Sequence, residues 1–209
     1  MLNNHKAINI RKTPLHPDRF YHIFNRGING MAVFFEEKNY QYFLKQYAKY
    51  TFPFVETYAY CMLKNHYHIL IRVRSEKEIA EVIKKDLHKP PSWHVSNGFS
   101  SFLQSYTRAI NKMYKRTGAL FETPFKRIEV GDEIYFTRLI AYIHGNPQKH
   151  KLVKDFRDYP FSSYHAHLFD KTTKLERNKV LNWFGGEIAY KAFHLQEKEA
   201  LSERWMLED

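Results

Sequence analysis

With 209 residues, 44% of them hydrophobic, the chain can bury a sizeable core and is too apolar to be disordered. Its 33 Lys and Arg against 22 Asp and Glu give a formal charge of +11, which favours a polyanionic partner such as nucleic acid. No stretch approaches the roughly 18 consecutive apolar residues of a membrane span, the N-terminal MLNNHKAINIRKTPLHPDRFY has no apolar signal centre, and the single cysteine, Cys61, excludes an internal disulfide framework; a reducing, cytoplasmic setting is expected.

Tyr21-His22-Ile23-Phe24 reads as a first strand ending in the turn residues Asn25 to Gly30. Glu36 to Tyr50 carries Tyr40, Phe43, Leu44 and Tyr47 at helical spacing. Val55 to Leu63 and His66 to Val73 read as strands joined by Lys64-Asn65, a two-residue turn that implies an antiparallel hairpin. Ser75 to His88 has the pattern of a charged amphipathic helix, and Lys89-Pro90-Pro91-Ser92 is expected to break it. Phe99 to Arg116 reads as a second long helix, with Thr117-Gly118 at its end. Phe125 to Val130 fits a fourth strand. A helix then opens at Asp132, a candidate N-cap, and runs to about Gly145, where Asn146-Pro147 is expected to stop it. The order of elements predicts an α+β fold: a ferredoxin-like antiparallel sheet with helices packed on one face. One domain over 1–170 and a charged extension over 171–209, helical in part, complete the expected layout.

The strand His66-Tyr67-His68 raises the first question of function. Side chains alternate along a strand, so His66 and His68 share one face while Tyr67, Ile69 and Ile71 take the other. Two imidazoles one pleat apart can reach one divalent ion, although a complete site needs a third ligand. The chain has 12 histidines, and a second H-x-H stands at His165-Ala166-His167, where surface structure is expected, so the spacing alone is a weak signal and more commonly marks two histidines satisfied on the surface or in the core. The first pair lies in an apolar mid-sheet strand, where polar groups without partners are costly. The second constellation is Ala141 to Pro147. Tyr142 and Asn146 are one helical turn apart and share a face with Leu139 and Tyr135. A phenol can serve as a nucleophile and an amide oxygen as a metal ligand; taken alone, Tyr142 is one of 15 tyrosines and reads as a core residue sooner than as a catalyst.

Five blocks occur in order: YHIFNRG, YAYCMLKNHYHILI, GALFETPFKRIEV, YIHGNPQKHKLV and YPFSSY. Together they resemble the single-tyrosine HUH transposases, most closely the REP-associated tyrosine transposases, over about Phe20 to Tyr164. The resemblance implies a ferredoxin-like fold and transesterification of single-stranded DNA, with hairpin-containing DNA as partner. It places the nucleophile at Tyr142 and the metal ligands at His66, His68 and Asn146. Tyr135 is the nearest competitor for the nucleophile, and His144, beside the third ligand, points off that helix face. The implied cofactor is Mg²⁺ or Mn²⁺, with Mn²⁺ the better match to imidazole. The implied product is a 5′-phosphotyrosine and a free 3′-hydroxyl. Arg26, Lys126, Arg127, Lys149 and Lys151 become candidate contacts to the DNA backbone. Both a monomer and a homodimer fit the resemblance. Two rival readings stay open: a nuclease in which the metal activates water, and a DNA-binding protein without catalysis. The segment 84–98 and the tail from Lys174 match no motif.

Overall fold

A computed structural model of the chain describes residues 10–84, 88–131 and 133–204. Four strands, β1 (Phe20–Arg26), β2 (Val55–Leu63), β3 (His66–Val73) and β4 (Lys126–Val130), form one antiparallel sheet in the order β2-β3-β1-β4. That is the ferredoxin-like order expected from the sequence. Tight pairing fixes which side chains share a face: Phe24 stands opposite His68 and Lys126, Ile23 opposite Ile69 and Arg127, and Cys61 opposite His68. A one-residue slip would exchange the faces.

One face carries Tyr21, Ile23, Tyr67, Ile69 and Ile71, all buried. Helices α1 (Glu37–Thr51) and α3 (Pro91–Met113) cover it with Phe43 and Tyr47 and with Phe99, Phe102, Tyr106 and Ile110. α1 begins at a capping box in which Glu36 and Asn39 bond each other's backbone. α2 (Glu76–Ile83) begins at another, made by Ser75 and Glu78. Gly98 lets α3 approach closely, because a Cβ there would stand 2.8 Å from the Tyr50 carbonyl oxygen.

The other face is covered by α4 (Glu133–Lys149), a second layer that the strand order did not reveal. Leu139, Ile140 and Ile143 of α4 bury Cys61, Leu63 and Leu70 of the sheet in a second core. α5 (Arg177–Phe184) and α6 (Glu187–Arg204) extend that core with Val180 and Tyr190. The residues beyond 170 therefore pack against α4 through apolar side chains. The open edge of β2 is covered too: Met62 and Tyr60 exchange backbone bonds with Phe161 and Ser163, which is the structural work of the YPFSSY block. Among the described residues no helix is long and apolar enough to cross a membrane.

The helix Ser75–His88 does stop ahead of Pro90-Pro91, at Ile83, but the expected start of the next helix and the expected stop at Pro147 both fail, for one reason. α3 starts at Pro91, eight residues before Phe99, because a proline in the first turn lacks only an N–H that would have had no helical acceptor. α4 runs through Asn146-Pro147 to Lys149, because a proline in the last turn removes a single donor while later bonds persist: His150 N–H donates to Asn146 O and Leu152 N–H to Pro147 O, both at 2.9 Å. The candidate N-cap Asp132 lies outside the described residues. His165-Ala166-His167, expected on the surface, forms a short 3-10 turn with His167 buried.

Candidate active site

The site is built where β1 and β3 face α4. Alternation along β3 turns His66 and His68 toward α4, with ring centroids 5.2 Å apart. The β2–β3 turn that aims His66 is pinned from outside. Its Lys64 carbonyl accepts from Val33 and Phe34, its Asn65 carbonyl accepts from Gly27 N–H at 2.8 Å, and Asn65 Oδ1 lies 2.7 Å from His66 Nδ1. From α4, the Tyr142 ring stands edge-on to His68 with centroids 5.7 Å apart, and it is 1% exposed.

Asn146 is oriented by simple donor and acceptor logic. A carbonyl can only accept, so the amide nitrogen faces the Tyr142 carbonyl at 2.9 Å, and Oδ1 faces away. Oδ1 is buried and has no hydrogen-bond partner among the described residues; the same holds for His68 Nε2. Buried oxygen and nitrogen acceptors are normally satisfied, and a cation is one kind of partner that satisfies such an atom. Burial, reinforced by neighbouring His22, His66, His150 and Lys149, pushes His68 well below the ordinary histidine pKa. Burial alone brings His22 down to about 3. Both imidazoles are thus neutral at pH 7, the form in which a ring nitrogen can bind metal. The donor set fits a divalent ion through imidazole nitrogen and amide oxygen. Among the described residues no group of three or more His, Cys, Asp or Glu could hold one.

Two histidines at the site were not legible as members of it. His22 of β1 lies with its Nε2 2.9 Å from His68 Nδ1, and its ring stacks near-parallel on Phe24. The only signal was its parity with Phe24 along the first strand, which has meaning only once the β1–β3 register is known. His150 lies 4.8 Å, centroid to centroid, from His66, brought there by the continuation of α4 past Pro147.

The predicted cations divide by strand parity. Arg26 and Lys126 line a small cavity of about 20 Å³ together with Phe24, His66 and His68. Lys149 Nζ stands 5.3 Å from the Tyr142 ring centroid. Arg127 is on the opposite face of β4, 8% exposed, where its guanidinium donates to Ser96 Oγ and to the Arg11 carbonyl and lies over the Phe125 ring. The structure does not bring it to the histidines. His144 also faces away, with its two nitrogens 2.9 Å from His194 Nε2 and 2.7 Å from Ser163 Oγ. Tyr135 packs at the margin of the second core.

Comparison with known proteins bears on this geometry at two levels. The fold is that of a solved structure described as "Structure of the REP associates tyrosine transposase bound to a REP hairpin", with a TM-score of 0.59 and 17% identity over 75% of this chain and 83% of that one. In sequence, the chain is 27% identical over 117 residues to the Haemophilus influenzae protein named "Putative REP-associated tyrosine transposase". That alignment covers 54% of this chain and 61% of the relative. No family model matches the chain. Both similarities agree with the resemblance carried by the five motif blocks.

Proposed function

We propose that the protein is a transposase-like, divalent-metal-dependent transesterase that cuts and rejoins single-stranded DNA through Tyr142. The observation that carries the proposal is that Tyr142 of a helix stands edge-on to His68 of a strand in one buried site, with His66 beside His68 and with buried acceptor atoms of His68 and Asn146 lacking a hydrogen-bond partner among the described residues. The similarity to two proteins named as REP-associated tyrosine transposases, one of them described as bound to a REP hairpin, supports hairpin-containing DNA as the partner.

In this reading His66, His68 and Asn146 hold Mg²⁺ or Mn²⁺, whose chemistry is to polarise a phosphate oxygen and offset developing charge. Arg26 and Lys126, at the mouth of the small cavity, hold the DNA backbone. Tyr142 Oη attacks phosphorus and the P–O3′ bond breaks. The phenol loses its proton and the released 3′ oxygen gains one, leaving a 5′-phosphotyrosine. One phosphodiester is replaced by another, so a later 3′-hydroxyl can reverse the step without an external energy source. Lys149 holds its ammonium over the Tyr142 ring, and a cation near a phenol favours the phenolate.

The test is an adduct assay with Mn²⁺ and labelled single-stranded hairpin oligonucleotides on a denaturing gel. A labelled band at protein mass that disappears in Tyr142→Phe is the expected result. Cleavage that survives Tyr142→Phe, with no adduct, would replace the proposal by a water-activating nuclease. Salt-sensitive binding that is indifferent to His66→Ala and His68→Ala, with no cleavage, would leave a DNA-binding protein.

A further inference from the structure

We infer that His22 is a positioning residue for the metal site: it accepts the Nδ1 hydrogen of His68 and so fixes the tautomer in which the His68 Nε2 lone pair faces the cation. The inference rests on the metal site proposed above. It deepens that reading by adding a residue from a third element, β1.

The argument begins with the pair itself. His22 Nε2 and His68 Nδ1 are 2.9 Å apart and both rings are buried, so no water stands between them. An N–H···N bond needs one donor and one acceptor, which leaves two arrangements. If His22 donates, the hydrogen of neutral His68 sits on Nε2. That nitrogen then has no lone pair to offer a cation. If His68 donates from Nδ1, its Nε2 carries the lone pair, and the same atom that lacks a hydrogen-bond partner becomes a ligand. Only the second arrangement is compatible with cation binding, and it requires an acceptor at the position of His22 Nε2.

The ring of His22 is poorly free to do anything else. It stacks on Phe24 with centroids 4.8 Å apart and 26° between planes, and it meets His68 at 5.1 Å and 23°. The β1–β3 register places Phe24 directly opposite His68 and His22 diagonal to it, so the strand pairing aims the acceptor. Hydrogen bonds to the far nitrogen of a metal-binding imidazole set its orientation and basicity, and their loss typically costs about 10–100-fold in metal affinity.

The experiment has two readouts besides activity. The first is long-range ¹⁵N–¹H correlation of the imidazole nitrogens in the metal-free wild-type protein, assigned with His68→Gln. A hydrogen on Nδ1 of His68 supports the inference, and a hydrogen on Nε2 overturns it, whether or not the protein later proves to bind metal. The second is Mn²⁺ affinity, from the EPR signal of unbound Mn²⁺, for wild type, His22→Gln and His22→Phe, each first checked by thermal melting. Gln offers an acceptor oxygen and is expected to stay within a few-fold of wild type, while Phe, which keeps the ring, loses about 10–100-fold. Equal affinity of folded His22→Phe and wild type would overturn the inference. If His22→Phe does not fold, the wild-type tautomer and the His22→Gln affinity still decide it. A wild-type protein with no measurable Mn²⁺ affinity would sink the metal site, and the tautomer measurement would stand apart from that failure.

Discussion

Acidification should unfold the second core well before it touches the carboxylates. His167 and His194 lie buried in the layer that joins α4 to α6, and burial brings each down to about 4. In the unfolded chain each titrates near the ordinary histidine value of 6.5. Their folded pKa values are depressed, so the unfolded state takes up protons first as the pH falls. Stability is therefore full above 6.5, declines as the pH drops from 6.5 to about 4, and is level below that. The gap of about two and a half units corresponds to about 3 kcal/mol per histidine at the limit, of which roughly 2 kcal/mol each is lost between pH 7 and pH 5. The pair thus costs roughly 4 kcal/mol, a large part of the 5–15 kcal/mol that typically holds a domain together, and His22, His68 and His144, which burial also depresses, add to the loss in the same window. The salt-bridged Glu56 carboxyl has its pKa lowered below 4.5, so its share of stability is lost only at more acid pH and does not blur this window. Urea unfolding followed by far-UV circular dichroism at pH 7, 6 and 5 measures the effect. In His167→Phe the loss over that range should shrink by about 2 kcal/mol. A midpoint that does not move between pH 7 and pH 5 would refute the reasoning, because it would mean that these rings are charged, or hydrated, in the folded state.

Three further outcomes follow from single contacts. Gly27→Ala would place a Cβ 2.0 Å from the Met31 carbonyl oxygen, beside the bond that pins the His66 turn, and thermal unfolding should register a loss of about 2 kcal/mol or more. Tyr106→Phe removes the hydroxyl that donates to the Val33 carbonyl at 2.8 Å inside the first core; leaving that carbonyl unsatisfied should cost about 1–3 kcal/mol in urea unfolding. Lys126→Ala and Arg127→Ala, one residue apart, should differ in kind. The first should weaken single-stranded DNA binding and reduce the slope of log K against log[salt] by about 0.7, one phosphate contact, while the second should leave the slope alone and lower the melting temperature.

The position of each strand and the parity within it were legible in the sequence, because alternation depends only on neighbours along the chain. That is why His66 and His68 could be placed on one face, Tyr142 and Asn146 on one turn, and the ferredoxin-like order recovered. The start of α3 and the stop at Pro147 were misplaced because the effect of a proline depends on its position within a helix: Pro91 and Pro147 both sit in terminal turns, where the missing N–H matters little. Parity also carries the information that separates Lys126 from Arg127, but the face that matters was undefined until the strand had partners. What no local pattern could supply was register and docking. The β1–β3 pairing sets His22 against His68, the packing of α4 on the sheet brings Tyr142 within 5.7 Å of His68, centroid to centroid, and the continuation of α4 carries His150 to His66. Each of those contacts joins residues from different elements, and the hydrophobic burial that holds the elements together is non-directional along the sequence. The residue types and their spacing therefore determined which chemistry the chain could hold, and only the tertiary structure decided which histidines meet.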